Sequence, residues 1–350
     1  MIGTVKLTGS ARIELSRRYT LPFGTRVIPR ADDCVQVGTE SPRCVVVRDA
    51  PRESVQLLGD LDGASTIAEV LTAHDADPLM WSGLLGQLMA ADLLVPVEPT
   101  DRTGLPAPAG AHLTDERAGL AHRHGHAAAA RILQARDDSL VVVRGAGAVA
   151  RSIAPLLAAA GVGHLHCESG GPALGPRTRM SADTVGPRPA DVGASLRSSY
   201  PTLRVHPPAA HQHPTIVVLA GHAVPDLGMA AAYTRSRIPH LAVTTGVARA
   251  VVGPLVLPGR SSCLSCAHRH RTAADPGWPA VARQLTNDPQ RAPAFLAAAA
   301  ACLAVGEVLE HIDGVVRPTT VNGTLEWHAG DLGPRRRSWT QHPQCGCRGS

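Results

Sequence analysis

Residues 139–169, "SLVVVRGAGAVARSIAPLLAAAGVGHLHCES", decide the fold. Strand-type residues, Leu140 to Val143, run into a glycine turn. About a dozen residues with helical spacing follow, then a second strand, His164 to Cys167. Gly145-Ala-Gly147-Ala-Val-Ala150 fits G-x-G-x-x-G/A between a strand and a helix. The first glycine allows the tight turn, the second lets backbone approach a phosphate, and the small Ala150 lets helix and strand pack closely. Glu168, at the end of the second strand, is placed to accept hydrogen bonds from a ribose. Further strands are expected at 203–206, 215–220, 240–245 and 250–257, alternating with helices. The expected class is α/β: a Rossmann-like, mostly parallel sheet covered on both faces. Whether such a turn still binds a nucleotide is a separate question from the fold.

Downstream, "SSCLSCAHRH" (261–270) carries Cys263 and Cys266, and the chain closes on "HPQCGCRGS" with Cys345 and Cys347. Two short knuckles of this kind supply the four thiolates of a tetrahedral zinc site. The expectation is a closed, structural zinc that staples the C-terminal tail to the sheet domain. His268 and His342 are reserve ligands, and a redox Cys-x-x-Cys is the alternative, weakened because the knuckle does not read as a helix start. Cys34, Cys44, Cys167 and Cys302 lie among apolar neighbours and read as small buried residues. His122 and His126 read as one face of a single helix, solvated rather than metal-binding.

Upstream, residues 20–97 read as one small unit. "TRVIP", "CVQVGT" and "RCVVVRDA" are strand-like, and "LLVPV" closes as another strand. "RESVQLLGDL", "STIAEVLTAH" and "DPLMWSGLLGQLMAADLL" carry helical spacing, with Ser65 and Asp77 as N-caps and Pro78 at a first helical position. This predicts a winged-helix-like α+β domain. Residues 98–114, rich in Pro, Gly and Thr, read as a linker, and a helix capped by Thr114 is expected to run to about Ala135. The remaining domain spans 115–347.

Composition narrows the classes. The chain has 350 residues, 44% of them hydrophobic, which suffices for two domains with buried cores. Net charge is +5, yet no basic face is interleaved with aromatics, which are only 3% of the chain, so nucleic acid is not an expected partner. Arg335–Arg336–Arg337 reads as a solvated loop. The N-terminus has no apolar signal core, and the longest apolar run, Phe295 to Val305, is too short for a bilayer. The expectation is a cytoplasmic protein with no membrane partner, where paired cysteines bind metal rather than form disulfides.

Four features together resemble the ThiF/MoeB superfamily of ubiquitin-activating-enzyme-like adenylyltransferases. They are "GAGAVA" after a strand, "GPLVLPGRSSCLSC", the helix "AAAACLAVGEVLEHIDG", and the closing "CGC". The resemblance covers residues 115–347. It implies ATP with magnesium on the Rossmann half and adenylation of a carboxylate. Gly145, Gly147, Ala150, Glu168 and Arg179 are the nucleotide-binding candidates. The sequence departs from the active pattern in three places, the first being Glu168 as the second-strand acid where the family usually has Asp. The family's Asp after the fourth strand is missing: "TIVVLA" runs into Gly221-His222-Ala223, with no carboxylate before Asp226. The family's Asn-Arg and Lys segment is replaced by residues 170–197, which have no Lys and where Arg177 and Arg179 are the candidates to stand in. Phosphoryl chemistry depends on positioned metal and cations, so no residue is assigned as catalytic, and ATP and magnesium stay open.

With its N-terminal module the chain resembles more closely the ThiF-like partners of azole-forming (TOMM/RiPP) cyclodehydratases. In those systems a separate YcaO-type enzyme uses the ATP, and the ThiF-like protein binds the leader of a ribosomal precursor peptide. The implied mode is strand addition along Cys44, Val45, Val46, Val47 and Arg48, beside a helix at 79–89 bearing Leu85 and Met89. The N-terminal module could instead serve DNA or dimer contacts, and relatives are often homodimers. The rival function is an adenylyltransferase in which Glu168, Arg179 and His222 stand in for the usual groups.

Overall fold

The computed structural model describes residues 13–30, 33–51, 53–97, 111–145, 147–168, 189–209, 211–220, 222–286 and 292–349. The chain divides into two compact units, Met1–Ile132 and Leu133–Ser350.

The first unit is α+β. Its elements are β1 (Arg18–Thr20), β2 (Val27–Arg30), β3 (Cys34–Glu40), β4 (Arg43–Val47), α1 (Ser54–Gly59), β5 (Asp62–Thr66), α2 (Ile67–Ala73), α3 (Pro78–Ala90), β6 (Val95–Pro96) and α4 (Thr114–His124). They form two antiparallel sheets of three strands, β5-β1-β6 and β2-β3-β4. Val37, Leu57, Leu58, Ile67, Trp81 and Leu85 are wholly buried and form the centre of one core. β1 and β5 fall outside the sequence expectation, since both are short and β5, "DGAST", carries no apolar alternation.

Three boundaries are corrected. α2 is capped by Thr66, the last residue of β5, not by Ser65; Thr66 accepts from Glu69 N while Glu69 reaches back, a complete capping box. Asp77 caps α3 with Pro78 in its first turn, as expected. Thr114 is inside α4 rather than capping it, and the helix stops at Gly125 instead of running to Ala135. Gly125 has φ +89°, outside helical space, and α5 (His126–Asp138) starts afresh. His122 and His126 therefore sit on different helices.

The second unit holds the large sheet. After α5 come β7 (Leu140–Arg144), α6 (Ala148–Ala159), β8 (His164–Glu168), α7 (Pro189–Ser199), β9 (Ile216–Leu219), α8 (Leu227–Arg235), β10 (His240–Thr245) and β11 (Arg249–Val256). Then follow α9 (Leu264–Ala274), α10 (Trp278–Leu285), α11 (Ala294–Asp313), β12 (Gly323–His328) and β13 (Arg335–Ser338). The order is β13-β12-β11-β10-β9-β7-β8. Five of the seven strands run one way, with β11 and β13 opposed. The sheet is mostly parallel, as expected.

Alternation along the strands separates two cores. Val141, Val143 and Val218 face α6 and α11; Leu140, Val142 and Leu219 face the side of α8 and the cysteines. Both faces are covered, which is why these strands read as continuous apolar runs. α11 is 20 residues, longer than the apolar run within it. By length and composition it could cross a bilayer. Its inner face, including Leu296, Ala300, Ala304 and Val308, belongs instead to the sheet's core. The buried Arg136 closes the sheet domain with a two-pronged pair to Asp313, both contacts at 2.7 Å.

Two further expectations are corrected here. "LRVH" supplies only an isolated bridge, Arg204 to His164, rather than a strand. Arg335–Arg337 is not a loop but the edge strand β13, its register fixed against β12. The alternation that would reveal it is hidden because all four of its residues are exposed.

Candidate functional site

The four cysteines meet. Cys263 is the N-cap of α9, and Cys266 lies in its first turn, its amide bonded to Cys263 O at 3.0 Å. Cys345 and Cys347 come from the C-terminal tail. The sulfur atoms are 3.8 Å apart for Cys263–Cys266, 3.6 Å for Cys263–Cys345 and 3.5 Å for Cys266–Cys347, and all four lie within 4.8 Å of one another. Zinc–thiolate bonds of about 2.3 Å in a tetrahedron put sulfurs about 3.8 Å apart. The cluster therefore fits a four-thiolate ion, and all four residues are buried.

Its protonation points the same way. Cys266 is drawn down to about 4, first by the hydrogen bond from the Cys263 thiol. Cys263 is pushed up, first by that same bond. Cys347 is pushed up to about 12, first by burial and then by Cys266. The Cys266 thiolate opposes ionisation of Cys263 and Cys347; a dication bound among the sulfurs favours thiolates. The knuckle does start a helix, contrary to the sequence reading, but the second pair of thiols in contact with it favours a metal over a redox dithiol. His268 accepts from Trp278 Nε1 at 3.1 Å and His342 accepts from Gln344 N at 3.2 Å, so both rings are engaged outside the cluster.

The remaining cysteines differ from expectation in part. Cys44 is buried, Cys34 and Cys167 are half-buried, and Cys302 is exposed on the outer side of α11. The apolar composition of α11 hides which side faces out.

At the glycine turn, Gly145 has φ +153° and Gly147 φ +105°. Space beside Gly147 is open: a β-carbon there would meet nothing within 4 Å. Gly147 is the N-cap of α6 and offers no side-chain bond to it, and Ala150 is buried beneath the turn. Gly145 N is bonded to Glu168 O at 2.9 Å, and the open space lies at the N-terminus of α6, the kind of place where an anion can sit. Glu168 ends β8 as expected but is engaged, 3.3 Å from Arg144 Nε and 3.6 Å from His166 Nε2.

Arg144, which sequence reading passed over, is the centre of this end of the sheet. It donates to Tyr233 Oη at 2.8 Å. Burial works against its charge, but Tyr233, Glu168 and Asp226 outweigh that and leave its pKa raised. The available signal was an arginine ending an otherwise apolar strand. Asp226 accepts from the amides of Gly228 and Met229 at 2.8 and 3.1 Å, so it caps α8. It is the only acid between 216 and 235, and it is spent as a cap. Arg177 and Arg179 lie outside the described residues.

In the first unit, β4 has a strand neighbour on one side, β3. Cys44, Val45 and Val46 are 6%, 7% and 9% exposed, Val47 is half-buried, and Arg48 follows the strand on the surface. The Cys44 thiol donates to Gly38 O at 3.3 Å. Leu85 is wholly buried and Met89 packs against the same core. Leu85 thus faces inward, because the apolar stripe of α3 serves this unit's own core; Leu79 and Met80 are the exposed apolar residues of that helix, at 86% and 51%. Arg43 anchors the start of β4, pairing with Asp92 at 2.7 Å and donating to His122 O at 2.8 Å.

No protein-family model matches the chain, and no curated protein sequence matches it. Solved structures do. E. coli MccB with ATP superposes with a TM-score of 0.59 at 16% identity, over 94% of this chain and 99% of that one. The microcin C7 biosynthetic enzyme MccB in complex with N-formylated MccA gives 0.58 at 15%, over 94% and 99%. PaaA gives 0.60 at 17%, over 90% and 99%. The likeness spans both units, and the chain has a ThiF-like fold.

Proposed function

We propose that this chain captures the leader of a ribosomal precursor peptide and presents it to a separate YcaO-type cyclodehydratase that supplies the ATP chemistry. Capture is by strand addition along Cys44–Arg48. The large unit is a scaffold, stapled by a structural zinc on Cys263, Cys266, Cys345 and Cys347. The setting is cytoplasmic, and a homodimer is compatible with it. The observation that carries the reading is the position of β4 at the edge of its sheet among the described residues. The engaged Asp226 supports it, since the large unit then lacks a carboxylate after β9 to hold magnesium. Support also comes from the likeness to MccB in complex with MccA, which spans both units.

The test is amide hydrogen exchange on the zinc-loaded full chain, with and without a synthetic ribosomal precursor peptide that carries its leader. Protection confined to residues 43–48 is the expected result. Protection at the other edge, β2, or none at saturating peptide, removes the β4 reading.

One observation favours a second reading, an adenylyltransferase acting on a peptide or small-protein carboxylate. The glycine turn is open, and MccB of the same fold is seen with ATP. Calorimetric titration with ATP and magnesium separates the two. Saturable binding with pyrophosphate exchange sustains the enzyme; silence up to millimolar ATP leaves the scaffold.

A further inference from the structure

Arg271, in the last turn of α9, holds a guanidinium with no carboxylate of its own. Its Cζ lies 5.2 Å from the Trp278 ring centroid and 5.4 Å from that of Trp339. Arg337 lies over Trp339 as well, at 4.4 Å. Among the described residues no acid forms an ion pair with Arg271. Glu326 is the acid that acts on it, while Arg249 and Arg337 oppose its charge. Glu326 is already shared: it lies 4.0 Å from Arg249 and accepts from Thr324 Oγ1 at 3.2 Å.

Register explains the crowding. Arg249 pairs with His328, Thr324 with Arg337, and Glu326 with Arg335. With a side-chain period of two, these residues share one face of β11–β13, the face on which α9 lies. Three guanidiniums, of Arg249, Arg271 and Arg337, thus meet one carboxylate. Gathering like charges at a partly buried place costs stability unless an anion completes it. Contact with two indoles restrains the Arg271 guanidinium, and its fork of donors suits a planar, two-oxygen acceptor.

The surroundings say which acceptor. Arg271 lines a crevice with Val224, Pro225, Thr244, Val251 and His268 whose free volume is about 30 Å³. That admits one small polar group and not a nucleotide. On the same strands, a groove of about 300 Å³ is lined by Glu326, His328, Asp331 and Arg335–Arg337. Its outer wall, β13, is the edge of the sheet and is exposed throughout. On β13, Arg335 pairs with Asp331 at 3.4 Å and Arg336 donates to Thr319 O at 2.9 Å and Ser338 Oγ at 2.7 Å; Arg337, beside Arg271, is the arginine of this edge that suits an extended chain bearing carboxylates.

We propose that an acidic peptide segment docks on the β12–β13 end of the large sheet, with Arg271 as the principal ligand for an Asp or Glu side chain. The site lies in the unit that does not carry β4, and it stands or falls without leader capture there.

The test uses the zinc-loaded full chain and fluorescein-labelled hexaglutamate, read by anisotropy and by tryptophan emission. Expected are saturable binding that weakens with salt, no binding of labelled hexaglutamine, and a loss of at least about tenfold in affinity for Arg271→Gln. Arg271→Lys, which keeps the charge without the fork, is expected to fall between. If Arg271→Gln fails to fold by thermal melting, Arg337→Gln decides, with an expected loss of about threefold. Absence of saturable binding at low ionic strength overturns the proposal. So does unchanged affinity in Arg271→Gln and Arg337→Gln, which would mean diffuse attraction to a basic surface. Displacement by pyrophosphate at concentrations as low as those of unlabelled hexaglutamate would also overturn it, since the site would then be one for phosphate.

Discussion

The two units are held together in different ways. In the large unit the decisive contacts join residues far apart in sequence: Cys263 with Cys345, 82 apart, and Arg136 with Asp313, 177 apart. Ser262 N likewise reaches Asn322 Oδ1, 60 residues on. In the small unit many of the visible devices are local. Thr66 and Glu69 close a capping box three residues wide, and Asp77 caps two residues ahead. A parallel sheet needs crossovers, so its strands and staples come from distant segments; short antiparallel strands and short helices can be set by neighbours. The large unit should therefore fail abruptly when one long-range tie is cut, and the small unit by degrees.

The largest effect is expected at the cysteines. Removal of zinc, or Cys345→Ser, should cost the large unit most of a metal-binding free energy on the order of 10 kcal/mol. Metal analysis should find one zinc per chain, lost in the variant. Calorimetry should show the large unit melting at much lower temperature while the small unit's transition holds. Full zinc retention by Cys345→Ser would break the comparison at its strongest point.

Next comes the buried pair. Asp313→Ala leaves the buried Arg136 charge without its carboxylate, with Ala160 O still accepting at 2.9 Å, and the expected loss is about 3–5 kcal/mol in denaturant unfolding. A loss below about 1 kcal/mol would mean water reaches that guanidinium and the tie is dispensable.

Acid should weaken both units. Burial lowers the pKa of His240, at the start of β10, from 6.5, and its Nδ1 faces Ile238 O at 3.0 Å. Burial likewise leads in lowering His126 in the small unit, with Arg43 and Arg117 adding and Asp92 opposing. Below about pH 6.5 the unfolded chain takes up protons that these folded rings refuse, so stability falls as pH drops from there toward the folded pKa values. Melting temperatures that stay level from pH 7 to 5 would contradict this. His240→Asn should flatten the slope of the large unit alone.

The smallest effects belong to the caps. Thr66→Ala and Asp77→Ala should each cost about 1 kcal/mol, confined to the small unit's transition. A cost several times larger would show that the small unit is as cooperative as the large one.

The parallel strands, the glycine turn and the two cysteine knuckles were legible because each depends on a periodicity or spacing within a few residues. Apolar runs of four to six residues mark strands covered on both faces, and β10 falls on the expected 240–245. Glycines at Gly145 and Gly147 mark a turn whose φ values few other residues adopt. Elements whose pattern is set by distant partners were not legible. β13 is three arginines and a serine, a strand only because β12 lies beside it. Cys302 and Leu85 exchange their expected environments because a uniformly apolar helix does not say which side the sheet will cover.

By itself, the sequence determined a Rossmann-type sheet, four cysteines spaced as two knuckles and the absence of a carboxylate at 216–225. Those depend on which residues are present and on short-range geometry. Only the tertiary structure decided that Asp226 is spent as a cap, that Arg144 occupies Glu168, and that, among the described residues, β4 ends its sheet and Arg271 lies near two indoles with no acid paired to it. Each of those is a question of which partner is within reach, and reach is set by the packing of segments tens of residues apart.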